Sequence, residues 1–275
     1  MAVKSIHRRS SCVNVHAVSC GHFTLPEHQF VKPSTLEARR TVPSLAFLIQ
    51  HKDNSGRTTR ILFDLGLRRD LKRYPTPIQR HTENRRPITT GPDVVRRLAR
   101  GRLRPDGIDY VVYSHHDLLP EGRSIELSDP LDDKIYAHDS NSEPATPSFS
   151  VPWRLHPTFN LPDTLDIFSD GSVLIVNAQG HLPGYINLFT RTSEQRYMYL
   201  SGDVCHDWRL LTGEKQIGDW TDAEGHVCCI HVDREAAETI RRIRRLEDRG
   251  VEVVFADDVE WENDPKNSSR FFGAG

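Results

Sequence analysis

The chain has 275 residues and a mass of 31.4 kDa, long enough to bury about three quarters of its unfolded surface without a disulfide or metal staple. It is 37% hydrophobic and 27% charged, and Lys+Arg 36 against Asp+Glu 38 leaves a net charge of -2. That balance speaks against a general nucleic-acid binder and gives no polybasic case for an anionic membrane. No apolar run approaches the roughly 18 residues needed to span a bilayer. Fourteen histidines are the one unusual count.

In chain order, Val13 to Ser19 reads as an opening strand. Leu45 to Gln50 and Arg60 to Phe63 read as a hairpin around a polar, turn-rich 51–57, and Asp64-Leu65-Gly66 follows at once. The Arg- and Pro-rich stretch from Arg68 to Pro92 is expected to be surface loop. Pro92 to Leu103 predicts a helix with Val94, Val95 and Leu98 on one face. Asp109 to Tyr113 is an apolar strand running into Ser114-His115-His116-Asp117. Leu118 to Pro162 is rich in Pro, Ser and Asp and is expected to be irregular, with one short strand near Lys134 to Ala137.

The second half is sharper. Gly171 to Asn177 is a strand leading to Gly180-His181, and Ile186 to Thr190 with Arg196 to Leu200 is a second hairpin ending at Ser201-Gly202-Asp203. Asp233 to Asp248 is the clearest helix: Asp233 is placed as its N-cap, Ala236, Ala237, Ile240, Ile243 and Leu246 keep helical spacing, and Gly250 closes it. Val251 to Phe255 is a last strand, ending at Ala256-Asp257-Asp258. Strands, helix and strand thus occur twice. This predicts an α/β fold of two mixed, mostly antiparallel sheets packed together with helices outside, an αββα sandwich forming a single domain over 1–275 with its core at about 13–261.

Four strands end in ligand-type residues: His115-His116-Asp117, His181, Asp203 and Asp257-Asp258. Side chains at rigid strand ends can converge with small positional error. Imidazole and carboxylate together are the usual ligands of zinc and its first-row neighbours. His206 reads as an idle surface residue, with a supporting position behind the metal ligands as the alternative, and Tyr113 and Tyr185 as packing residues with an oxyanion donor as the alternative role. The five cysteines, Cys12, Cys20, Cys205, Cys228 and Cys229, are an odd number without framework spacing, which points to a reducing, cytoplasmic setting, and the absence of a CxxC pair speaks against a zinc knuckle. Neither Cys205 nor Cys228 has a base at a recognisable spacing, so a thiol nucleophile is set aside.

Several segments, in order, resemble the metallo-β-lactamase superfamily, in particular its lactonase-like branch of acyl-homoserine lactonases and fungal lactamase-like proteins. They are 43–49 with 61–67, Ile108-Asp109-Tyr110-Val111-Val112-Tyr113-Ser114-His115, Gly180-His181-Leu182-Pro183-Gly184, Ser201-Gly202-Asp203-Val204-Cys205-His206, and 253–261. The resemblance implies a metal site of His115, His116, Asp117, His181, Asp203 and Asp257. It implies zinc, as one or two ions, with manganese and iron as the other candidates. It also implies Asp203 as the bridging carboxylate and Asp117 as both a ligand and the catalytic proton shuttle.

The chain departs from the family's pattern at three places. The family's His-x-His-x-Asp-His is compressed here to 114–119, Ser-His-His-Asp-Leu-Leu; its final His position falls on Asp257; and a His often found in the second segment is Tyr185. The expected function is therefore a metal-dependent hydrolase opening a cyclic ester or cyclic amide with a metal-bound hydroxide. The alternative is a pseudoenzyme with an incomplete metal site, acting as a binding protein. The expected partner is a small-molecule substrate, with no nucleic acid and no membrane, and the chain is expected to be a monomer or homodimer.

Overall fold

The computed structural model describes residues 11–114, 135–136, 154–156, 158–181, 185–221, 224–225, 227–229 and 233–274. The first-half strands are β1 (Val13–Pro26), β2 (Val31–Lys32), β3 (Arg39–Lys52), β4 (Thr58–Phe63), β5 (Tyr110–Val112) and β6 (Ile135–Tyr136), with helices α1 (Thr76–Glu83) and α2 (Val94–Arg100) before β5. The strands β7 (Arg154–His156), β8 (Leu161–Asp166), β9 (Val173–Asn177), β10 (Ile186–Arg191) and β11 (Tyr197–Ser201) follow. Then come α3 (Trp208–Thr212), β12 (Gln216–Ile217), β13 (Asp219–Thr221), β14 (Val227–Cys229), α4 (Asp233–Glu247), β15 (Glu252–Phe255) and α5 (Val259–Asn263).

Leu45 to Ile49 shows how this sequence makes a sandwich. Every residue of the run is apolar and every one is buried. Alternation along β3 sends Leu45, Phe47 and Ile49 to one face and Ala46 and Leu48 to the other. The first set meets Val173, Leu188, Leu200 and Val254 of a second sheet, forming the central core. The second set meets Val94, Leu98 and Ile108 of the α2 region on the outer face. The second sheet repeats the scheme: Leu174, Val176, Phe189, Tyr199 and Val253 turn outward onto Ile240, Ile243 and Leu246 of α4. Helix, sheet, sheet and helix are stacked in that order.

The first sheet runs β1-β3-β4-β5-β6 and the second β15-β11-β10-β9-β8-β7. Pairing is antiparallel throughout except for β4 with β5, β5 with β6, and β11 with β15. The mixed, mostly antiparallel αββα sandwich expected from the sequence is the observed architecture. Two small ribbons, β2 with β12 and β13 with β14, are added to it. Among the described residues no helix is long and apolar enough to cross a membrane.

Three local expectations change. The opening strand continues past Ser19 to Pro26, because a bulge between Ser19 and His22 shifts its register against β3 without ending the pairing. The Arg68 to Pro92 stretch is not all loop. It holds α1, whose first turn accommodates a proline without loss, since the amide there needs no helical partner. The stretch from Leu118 to Pro162 contains β7 and the start of β8 as well as the short strand at Ile135–Tyr136. Pro162 is compatible with β8 because it falls in the register shift between β7 and β8, where no ladder donor is required.

Candidate metal centre

Four strand ends meet at one edge of the sandwich, and backbone hydrogen bonds join them. Ile186 N donates to Ser114 O at 3.0 Å, Ala256 N to Ser201 O at 2.9 Å, and Leu45 N to Ala256 O at 2.9 Å. The exits of β5, β11 and β15 and the start of β10 are therefore one rigid unit across both sheets. The exit of β5 is set by Asp64. Its backbone stands at φ 60, its N–H donates to Val112 O at 2.9 Å, and its Oδ1 accepts from Ser114 N at 2.8 Å. His115, His116 and Asp117 follow immediately and lie outside the described residues.

His181 is delivered by a close approach of backbone to helix. Gly180 has φ +139, and a Cβ there would stand 2.5 Å from Ala236 Cα and 2.6 Å from Ala236 N. Only glycine lets the loop after β9 pass this near the start of α4. Thr239 Oγ1 donates to Gln179 O at 2.7 Å and fixes the same passage.

Asp203 is held through its backbone. Tyr185 is fully buried, and its hydroxyl oxygen accepts from Asp203 N while sharing a hydrogen bond with the Ser114 side chain. Burial, together with the Asp203 and Asp64 charges, pushes the Tyr185 phenol well above its ordinary value, so it stays protonated. Gly202 leaves the space this requires: a Cβ there would stand 2.1 Å from the Tyr185 hydroxyl and 2.8 Å from Ser114 Oγ.

The structure brings His181, Asp203 and His206 together, with one ligand atom of each within 4.8 Å of the others. The His181 and His206 rings are 5.5 Å apart and steeply inclined at 75°. His206 is the residue that sequence reasoning missed. It is 9% exposed, not an idle surface group. Its Nδ1 pairs with Asp257 Oδ2 at 2.7 Å, and its ring stands edge-on to Phe30 at 4.7 Å. The available signal was the spacing in Asp203-Val204-Cys205-His206, where two fully buried apolar residues bracketed by polar ones anchor the turn and carry His206 inward.

Asp257, expected among the ligands, stands at Nδ1 of His206 and outside the three-residue group. Its neighbour Asp258 does structural work. Its Oδ1 caps α5 by accepting from Trp261 N at 2.8 Å, and its Oδ2 accepts from Trp208 Nε1 at 2.9 Å. Burial nonetheless raises the Asp258 carboxyl. Asp207 caps α3 and pairs with Arg209 and Arg40, at 2.6 and 3.2 Å. Burial opposes the Asp207 charge, but the Arg209 hydrogen bonds outweigh it and hold the carboxyl below its usual range. The Cys205 thiol is fully buried and is pushed up to about 12, which removes it as a nucleophile at neutral pH.

Two imidazoles and a carboxylate are a donor set that zinc, manganese and iron accept. Among the described residues three such donors converge, fewer than the four that a closed structural zinc site uses. The Nδ1 bond of His206 to a carboxylate is the support that metal-bound histidines commonly have, since it fixes the ring and directs Nε2 away from Asp257.

No family model matches the chain. Over 247 residues it is 28% identical to cytochrome P450 monooxygenase mpaDE of Penicillium roqueforti, a match covering 78% of this chain and 28% of that protein. Over 193 residues it is 25% identical to metallo-hydrolase mfmC of Annulohypoxylon moriforme, covering 62% of this chain and 50% of the relative. The chain thus spans between about a quarter and a half of the length of these relatives. In structure it is similar to a quorum-quenching N-acyl homoserine lactone lactonase, with a TM-score of 0.60 at 15% identity over 92% of this chain and 96% of that one. It is also similar to the hydrolase AbOPH of the beta lactamase superfamily, with a TM-score of 0.53 at 14% identity over 91% and 88%. At this distance in sequence what is shared is the arrangement of sheets, helices and strand ends: the chain has the metallo-β-lactamase fold.

Proposed function

We propose that the chain is a metal-dependent hydrolase that opens a cyclic ester or cyclic amide. The observation that carries this reading is the convergence of His181, Asp203 and His206 within 4.8 Å at the strand ends. The metallo-hydrolase name of one relative and the lactonase name of a structural neighbour support the class. His181, Asp203 and His206 would hold the ion, and the resemblance in sequence adds His115, His116 and Asp117. A zinc, manganese or iron ion so held supplies a Lewis acid and an activated water at neutral pH.

The chain's own residues prepare the site. Asp257 accepts the Nδ1 proton of His206 and so holds that imidazole in one tautomer and orientation. The Tyr185 hydroxyl fixes the Asp203 backbone, and with it the position of the carboxylate. Asp207, tied down by Arg40 and Arg209, keeps the turn carrying His206 from swinging outward.

The test is metal analysis of the purified protein together with hydrolysis of a lactone and lactam panel, before and after chelation. Bound metal, and activity that chelation removes and metal restores, is the expected result. Substoichiometric metal, with no thermal stabilisation by added zinc, overturns it. The pseudoenzyme reading is favoured by one observation, the 2.7 Å bond that commits an Asp257 oxygen to His206 where the family has a histidine. A chain that binds a lactone but neither holds metal nor turns the lactone over decides for that reading.

A further inference from the structure

Three arginines stand near the centre, and one differs from the other two. Arg40 is met by Asp207 and Glu260, and Arg209 by Asp207 and Glu27. Arg85, in the segment after α1, is 6% exposed, yet no carboxylate among the described residues lies within ion-pair distance of it. Its position is fixed: Thr24 N donates to its carbonyl at 2.8 Å, Nη1 donates to Gln29 Oε1 at 3.0 Å, and the guanidinium lies 5.4 Å from the centre of the Phe30 ring. That same ring stands edge-on to His206. Arg85 is therefore one aromatic ring beyond the candidate metal centre, with Asp257 acting on it through space.

A largely buried guanidinium without a carboxylate is costly, and apart from Nη1, bonded to Gln29, its donors remain open to solvent and so to a ligand. Burial, reinforced by Arg39, pulls Arg85 down to about 10, which still leaves it charged at neutral pH. The planar fork suits a carboxylate held through two parallel hydrogen bonds. A scissile carbonyl would lie beside His181, Asp203 and His206, whereas Arg85 is not among those ligands and contacts the Phe30 ring that flanks His206. An anion at Arg85 must therefore sit on a different part of the substrate.

We propose that Arg85 is an anion subsite beside the His181, Asp203 and His206 centre, selecting cyclic esters or amides that carry a carboxylate away from the scissile bond. This rests on the hydrolase reading for its substrate class. The experiment compares γ-carboxy-γ-butyrolactone with its methyl ester, using metal-loaded wild type, Arg85→Met and Arg85→Lys. Wild type is expected to favour the carboxylate in kcat/KM by about tenfold or more. Arg85→Met is expected to bring the ratio near unity, with the loss in KM, and Arg85→Lys to fall between, since it keeps the charge and loses the fork. A ratio that is the same in wild type and Arg85→Met overturns the subsite, as does a wild type that prefers the ester.

A second measurement does not depend on turnover. Cyclopentanecarboxylate, which cannot be ring-opened, is expected to raise the melting temperature of wild type but not of Arg85→Met, with cyclopentanecarboxamide as the neutral control. Equal shifts in both proteins overturn the subsite. If the metal-loaded protein hydrolyses no member of the lactone and lactam panel while the carboxylate still discriminates, the hydrolase reading fails and the anion subsite stands. Should Arg85→Met not fold, both comparisons are read on Arg85→Lys.

Discussion

Among the described residues, two histidine–aspartate pairs have a buried imidazole, and they differ in what surrounds them. His206 Nδ1 meets Asp257 Oδ2 at 2.7 Å, and His51 Nε2 meets Asp170 Oδ2 at 2.8 Å, with both imidazoles 6% exposed in their side chains. Around the first pair a second imidazole and another carboxylate come within 4.8 Å, and the flanking Phe30 is edge-on. Around the second, Phe168 lies flat on the imidazole at 3.7 Å and 8°, and Asp170 also accepts from Ser172 N in the turn before β9. A buried pair is therefore not a site in itself. The first carries donors arranged for a third party, while the second uses the same chemistry to tie the end of β3 to the opposite sheet.

The sharpest way to break this contrast is at the shared centre. Asp203→Ala is expected to lose bound metal and to lower kcat/KM for a lactone by about a hundredfold or more, read by metal analysis and initial rates. His206→Ala against His51→Ala comes next: the first is expected to lower metal stoichiometry and the second to leave it at the wild-type level. Equal metal content in the two variants would dissolve the distinction. Asp257→Asn tests the supporting carboxylate alone, with metal affinity expected to fall about 10- to 100-fold in a competition titration while the melting temperature moves little.

At the structural pair the readout is stability. His51→Ala strips the half-buried Asp170 carboxylate of one of its partners and is expected to cost about 1 kcal/mol in urea unfolding. The smallest effect is one of pH. Burial alone would raise the Asp170 carboxyl, but hydrogen bonds from Ser172 and His51 outweigh it and hold it below its ordinary 3.8. A carboxyl depressed in the folded state stabilises the protein fully above its unfolded value, and that contribution drains as pH falls through the lower folded value. Asp170→Asn should therefore be less stable than wild type at pH 7, and the gap should close as pH drops through and below 3.8, measured by urea unfolding across the acid range.

The sandwich was legible because its signals are local and periodic. Leu45 to Ile49 announces a strand buried on both faces, and Ala236, Ile240, Ile243 and Leu246 announce a helix with one buried side. His181 and Asp203 were legible because each stands within four residues of a strand end and directly after a glycine. His206 was not, since it sits five residues beyond the strand end, where no period says which way a side chain faces. The α1 helix was hidden by Arg and Pro composition. Arg85 was hidden for a deeper reason. Among 36 basic residues nothing marks one as buried, and its burial comes from Thr24, Gln29 and Phe30, more than fifty residues earlier in the chain.

The Tyr185 hydroxyl has a consequence for how this chain can change over generations. It occupies the space beside Gly202, touches the Asp203 amide and meets the Ser114 side chain, so three distant stretches of sequence share one small volume. A side chain at position 202 has nowhere to go while the phenol and the serine are in place. Position 202 should therefore tolerate alanine only in company with smaller residues at 185 and 114. Such variation would be inherited as a set, and the order of the steps would matter, because each single step passes through a displaced Asp203.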